Sequence, residues 1–197
     1  ASTLHELRQV DIGSWFASEF SDQRIPTLKQ VLAYCKDKIR VNIELKYYGE
    51  QQQLEQRVAD IVDAAGMAEQ VAVMSLSRAG IERMRRLRPD WTLGLLSSIS
   101  VGDLTALDVD FLALNARFAS RHAIRRIHQQ GKYVMVWTVN DPVGMSSMLN
   151  RGADVIISDD PSLGVDLIRQ REQLLPPERL LMQLADIFHK PSLYRDQ

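Results

Sequence analysis

The sequence predicts an α/β protein in which short parallel strands alternate with covering helices. Three observations lead there. Short apolar runs of strand length recur between residues 39 and 158, and amphipathic stretches of helical period separate them. Helix punctuation falls where that alternation needs it, with Gly66, Gly131 and Gly152 after helical stretches and Pro89 and Pro142 at boundaries. Polar and charged residues gather at the carboxyl ends of the strands, the place where ligands sit in parallel-sheet folds.

The first elements precede any strand. Ser2 to Val10 carries Ser and Thr cap candidates and Leu4, Leu7 and Val10 at helical spacing, and Asp11-Ile-Gly13 ends it. Trp15, Phe16 and Phe20 follow in a polar segment, where aromatics are expected to seal a loop against a core. Thr27 caps a helix through Leu28, Val31, Leu32 and Cys35. The turn Lys36-Asp37-Lys38 leads into the strand Ile39-Arg-Val-Asn-Ile-Glu-Leu-Lys46.

Regular alternation follows. A helix over 51–65 (Leu54, Val58, Ile61, Val62) leads to strand 71–76, a helix capped by Ser77 runs to Arg88, and strand 92–97 comes next. Residues 102–108 read as a short helix or turn. Strand 111–115, helix 120–130, strand 133–139, a helix from Pro142 to Gly152, strand 155–158 and a helix over 162–172 complete the series. After Pro176-Pro177 a tail places Leu180, Leu181, Leu184, Ile187 and Phe188 on one helical face. The expected organisation is a (β/α) domain over 1–172 and a helical tail over 173–197.

Composition narrows the function class. At 197 residues, 45% hydrophobic, the chain can bury one sizeable core. Its 24 basic and 25 acidic residues balance to a net charge of -1, which argues against a general nucleic-acid binder. Cys35 stands alone, so no intrachain disulfide or paired-cysteine metal site is possible. Arg78, Arg83, Arg85, Arg86 and Arg88 lie on one helix, and Arg117, Arg121, Arg125 and Arg126 on or just before another. With acidic residues balancing them, these read as solvated outer helix faces rather than a membrane-facing surface.

The strand count is six, with a helix before the first strand. A (β/α)8 barrel needs eight strands and typically about 250 residues, so the chain reads as a barrel short of its first two strands. A doubly wound open sheet fits the length better, but it usually carries a Gly-rich first βα turn, and none is present.

Glu44 and Lys46 are the first candidates for chemistry. Spaced i, i+2 at a strand end, they point to the same side, and charges placed there need partners or a water-filled site. A salt bridge between them is the plain alternative. Ser75, Ser97, Ser98, Asn115, Trp137, Thr138, Asn140, Ser158, Asp159 and Asp160 occupy the other strand ends. A carboxylate, an ammonium, hydroxyls and a Trp suit a metal-bound phosphate carrying a polyol, since hard cations prefer oxygen and the ammonium neutralises phosphate.

Five stretches together resemble the glycerophosphodiester phosphodiesterase family: Ile25-Pro-Thr-Leu28, Asn42-Ile-Glu-Leu-Lys46, Met74-Ser-Leu76, Val136-Trp-Thr-Val-Asn140 and Gly152-Ala-Asp-Val-Ile-Ile-Ser-Asp-Asp-Pro161. The resemblance covers about residues 3–168 in order. It implies a TIM barrel of the phospholipase C-like phosphodiesterase type. The implied reaction, part of lipid and glycerol metabolism, hydrolyses glycerophosphodiesters to an alcohol and glycerol 3-phosphate with a divalent cation, usually Ca²⁺ or Mg²⁺. By motif position Glu44 is similar to a metal-ligand carboxylate, Lys46 to the lysine near the phosphate, and Trp137 to the aromatic wall of the glycerol pocket.

The family's catalytic histidines and its Glu-x-Asp pair belong to the first two strands, upstream of Ala1, so no catalytic residue is expected in this chain. His5, His122, His128 and His189 all fall in expected helices. The chain alone is expected to be inactive, and its partner is a small glycerophosphodiester rather than nucleic acid. Homo-oligomerisation through open sheet edges and membrane association through an N-terminal region remain open, as does a non-catalytic binding module as the alternative function. The sequence does not fix a compartment, and a cytoplasmic or a membrane-tethered location stays open.

Overall fold

Sequential pairing of the strands decides between the two candidate architectures. The structure, a computed structural model, describes residues 2–48, 53–97, 107–175 and 177–178. Its strands are β1 (Val41–Glu44), β2 (Val71–Ser75), β3 (Thr92–Ser97), β4 (Phe111–Asn115), β5 (Tyr133–Trp137) and β6 (Val155–Ile156). They form one sheet in the order β1-β2-β3-β4-β5-β6, every neighbouring pair parallel. A doubly wound sheet reverses its order at a switch point. This one never reverses, so it curls around one axis as a barrel wall does.

The helices are α1 (Leu4–Leu7), α2 (Leu28–Cys35), α3 (Leu54–Ala65), α4 (Arg78–Leu87), α5 (Arg121–His128), α6 (Pro142–Arg151) and α7 (Pro161–Gln173). Their starts are chemically specified. Thr27 and Gln30 form a reciprocal capping box on α2, Ser77 and Ser120 accept from the third backbone N–H of α4 and α5, and Asp141 caps α6 ahead of Pro142. Gly66 (φ 63°) and Gly152 (φ 99°) close α3 and α6 in the left-handed region, where a Cβ would be strained.

Alternation along each strand makes two cores. Val73, Leu93, Leu95, Leu112, Leu114, Val134 and Val136 pack outward against the helices. Met74, Leu96, Phe111 and Ala113 pack inward, joined by Met135 and Trp137. Burying such a side chain contributes about 1.5–3 kcal/mol, which is why the two-sided strands β2 to β5 were plain in the sequence.

The edges differ from expectation. The strand expected over 39–46 pairs only from Val41 to Glu44 and is half-buried, and that expected over 155–158 shortens to two residues. Each has a neighbour on one side only among the described residues, and hydropathy cannot reveal a missing ladder partner. Of the segment 102–108 only 107–108 are described; residues 51–52, Ser98 and the tail from 179, with Leu180 to Phe188, lie outside the described residues.

The N-terminal expectation is corrected. The helix is only four residues long, and Leu4, Leu7 and Val10 are exposed. Trp15 and Phe16 are 82% and 71% exposed and pack edge-on against each other, with Phe20 beside Phe16, instead of sealing a core. Local polar bonds shape this segment: the Asp11 carboxylate accepts from the Gly13 and Ser14 N–H groups (2.8 and 2.9 Å) and from the Ser14 hydroxyl, and the backbone at Asp11 forms an isolated antiparallel β-bridge with Arg24. Ser14's bonds first, then Gly13's, hold the Asp11 carboxyl down at about 2. A carboxyl depressed in the folded state supports its turn above the ordinary carboxylate range of about 4 and loses that support as pH falls. The carbon-13 titration of Asp11 should therefore have its midpoint near 2, and a midpoint near 4 would mean the turn is not formed in solution.

The arginines of α4 are also not simply solvated. Arg78 pairs with Glu82, Arg83 with Glu55, Arg85 with Asp110, and Arg88 with Asp63. The last three pairs tie α4 to α3 and to the residue before β4.

Candidate active site

A mouth opens at the carboxyl ends of β1, β2, β3 and β5. It is a cavity of about 690 Å³, with Glu44, Lys46, Met74, Leu96 and Trp137 among its lining residues. That volume lies in the range that holds small ligands. The three residues singled out in the sequence thus share one cavity, Glu44 and Lys46 from the end of β1 and Trp137 from the end of β5, four strands away.

Each is placed by local structure. Glu44 is the last residue of the β1–β2 ladder, opposite Met74, and its side chain is about a quarter exposed. Lys46, two residues on, reaches back so that its ammonium lies 3.4 Å from the Glu44 carboxylate. At 56% and 26% side-chain exposure this pair is worth at most about 1 kcal/mol, so a ligand can separate it cheaply. Trp137 is set by its indole N–H, which donates to the Ala113 carbonyl at 3.0 Å, and its ring forms one wall. An apolar floor of Met74 and Leu96 completes a cavity with one anionic and one cationic group.

Several other strand-end candidates turn out to hold the backbone together. Ser75, 1% exposed, donates to the Leu45 carbonyl (2.7 Å), and Ser97 is buried at the end of β3. Asn115 accepts from the Arg117 N–H, and Asp160 caps α7. Asn140 binds Asp159 and Ser158, linking the ends of β5 and β6. Tyr48, 87% exposed, lines the mouth and was missed, because a lone surface aromatic carries no pattern; Leu76, 61% exposed, lines it too. Among the described residues the histidines stand elsewhere: His5 is on α1 and His122 on α5, while His128 contacts Asp154 (2.8 Å) near the amino ends of the strands.

A hard divalent cation takes six or more oxygen ligands in the Ca²⁺ case and an octahedral set in the Mg²⁺ case. No group of three or more His, Cys, Asp or Glu side chains converges among the described residues. The Glu44 carboxylate, half-buried at the mouth, fits the part of one oxygen donor and not of a complete site. No described helix is long and apolar enough to cross a membrane.

Comparison with known proteins agrees with this fold. The model of the glycerophosphoryl diester phosphodiesterase family matches residues 1–163. A glycerophosphodiester phosphodiesterase of Caldanaerobacter subterraneus is 27% identical over 178 residues, covering 85% of this chain and 72% of the relative. Among solved structures, a glycerophosphodiester phosphodiesterase from Parabacteroides distasonis superposes with a TM-score of 0.77 at 23% identity, covering 88% of this chain and 73% of that one. An Oleispira antarctica phosphodiesterase solved with the product sn-glycerol 3-phosphate superposes with a TM-score of 0.73 at 23% identity, over 85% and 71% of the two chains. The sequential parallel sheet is that of a TIM-barrel wall, and with a family match running unbroken from residue 1 to residue 163, the chain belongs to the glycerophosphoryl diester phosphodiesterase family of phosphoric diester hydrolases.

Proposed function

We propose that this chain supplies the phosphate- and glycerol-binding wall for hydrolysis of glycerophosphodiesters to an alcohol and glycerol 3-phosphate. The observation that carries this reading is the convergence of Glu44, Lys46 and Trp137 on one cavity from β1 and β5. Lys46, a point charge with three donors, neutralises the phosphate. Trp137 offers its face to the glycerol carbons, whose hydroxyls stay towards water. Glu44 is one oxygen donor for a Ca²⁺ or Mg²⁺ ion, which when bound would polarise the phosphoryl oxygens. Releasing Lys46 from Glu44 frees both groups for these partners, and the pairing between them is weak enough to allow it.

Hydrolysis also needs a group to protonate the leaving alkoxide, and the described mouth residues include no histidine. The 197-residue chain by itself is therefore expected to release no glycerol 3-phosphate from glycerophosphocholine with Ca²⁺ or Mg²⁺ present. Release that EDTA abolishes would overturn this division of labour.

A second reading, an oligomerising barrel module, is favoured by the outer edges of β1 and β6, which lack ladder partners among the described residues. Light scattering coupled to size exclusion should show self-association, and a monomer at all concentrations would exclude edge pairing.

A further inference from the structure

Lys46 projects into water, so its usefulness as a phosphate contact depends on how firmly the chain on either side of it is held. Leu45, just before it, is 3% exposed and fixed through both backbone groups. Its N–H donates to the Met74 carbonyl at 2.8 Å, and its carbonyl accepts from the Ser75 hydroxyl at 2.7 Å. Tyr47, just after it, is fixed through its side chain. The phenol donates to Glu55 Oε1 at 2.9 Å, and the same oxygen accepts from Arg83 Nε at 2.7 Å.

Three elements meet at this phenol: the segment after β1, the first turn of α3 and the middle of α4. Glu55 is 4% exposed, a position where an unpaired carboxylate would be costly. Burial pushes its acidity weaker, but bonds from its own N–H, Tyr47 and Arg83 outweigh that and hold it below the ordinary carboxylate range. Burial and the bond to Glu55 raise the Tyr47 phenol to about 12, so it stays a donor at any working pH. The Arg83 guanidinium carbon lies 5.7 Å from the centre of the Tyr47 ring, within cation–π range. On the α4 side Gly80 makes room, since a Cβ there would overlap the Tyr47 phenol. Joining α3 to α4 needs only Glu55 and Arg83. The Tyr47 hydroxyl adds the mouth segment to that pair.

We infer that Tyr47 and Glu55 are positioning residues, which with Gly80 clamp the chain immediately after Lys46 and hold its ammonium over the mouth. The inference rests on the reading of Lys46 as the phosphate contact. Preorganisation of this kind raises affinity by lowering the ordering cost of binding.

The test uses the 197-residue chain with Tyr47→Phe, Glu55→Ala and Glu55→Gln, read by nitrogen-15 relaxation of residues 46–48 and by sn-glycerol 3-phosphate affinity. In the parent, the order parameters of 46–48 should be those of rigid backbone, about 0.85, and in Tyr47→Phe they should fall towards 0.6. Affinity should fall about threefold, part of the loss expected when the Lys46 ammonium itself is removed. Glu55→Ala should match that loss, and Glu55→Gln, which keeps an acceptor for the phenol, should restore most of the order. A purely structural pair would lower the unfolding midpoint without moving either readout in Tyr47→Phe. Unchanged order at 46–48 in both Tyr47→Phe and Glu55→Ala overturns the inference. If the parent binds no glycerol 3-phosphate, the phosphate reading of Lys46 fails, and the relaxation comparison still decides for or against the clamp.

Discussion

Gly94→Ala should destabilise the fold by about 3 kcal/mol, at the upper end of the usual cost of overpacking, and Gly94→Val should unfold it. Gly94 sits inside β3 with its missing side chain facing the concave core, and a Cβ there would overlap the Phe111 ring. That ring is 1% exposed and packed in one cluster with Met74, Leu96 and Ala113, so it cannot swing into water. Alanine is otherwise the better strand residue, which makes the sign of the effect a test of packing and not of backbone preference. Against a total stability of about 5–15 kcal/mol, a loss of this size is plain in the denaturant midpoint. Combining Gly94→Ala with Phe111→Leu should recover part of it, because the two residues compete for one space. A Gly94→Ala change within about 0.5 kcal/mol would mean that the inner layer is loosely packed.

Lys46→Met should weaken sn-glycerol 3-phosphate binding about tenfold while leaving stability almost unchanged. The ammonium is removed from a site more than half exposed, so the lost charge-assisted contact is worth about 1.5 kcal/mol and not the larger figure of a buried one. Stability is spared because the Glu44–Lys46 pair contributes little and the Lys46 side chain covers no core. Binding of glycerol itself, which carries no charge, should not change. An equal loss for glycerol and its phosphate would move the phosphate contact away from Lys46.

What the sequence revealed follows from which interactions are local. Strands β2 to β5 were legible because both of their faces are buried, which leaves nearly unbroken apolar runs such as Phe111 to Leu114. The caps at Thr27 and Ser77 were legible because each bonds the residue three positions on; Ser120 and Asp141, with the same spacing, went unread. The lengths of β1 and β6 were overestimated because pairing on the outer side is a property of the sheet and not of the strand. Partners of Arg83, Arg85 and Arg88 lie 25 to 28 positions away, out of range of any periodicity, whereas Arg78 pairs with Glu82 at ordinary helical spacing. At the mouth, Glu44 and Lys46 were legible as charges at i, i+2 on a strand end, and Trp137 through its family-like motif. Tyr47 and Glu55 were not, since a tyrosine in a polar loop and a glutamate in a first helical turn look like ordinary surface residues until the fold buries them together.

The central claim, that one cavity at the ends of β1 and β5 receives the phosphate and glycerol groups, is tested most directly by titrating sn-glycerol 3-phosphate into the nitrogen-15-labelled chain. Saturable shifts are predicted at the amides of residues 44–48 and at the indole N–H of Trp137, with inorganic phosphate reproducing the first set and leaving the Trp137 signal nearly still. A folded spectrum in which those signals do not move, or in which the saturable shifts cluster on the arginines of α5, would contradict it.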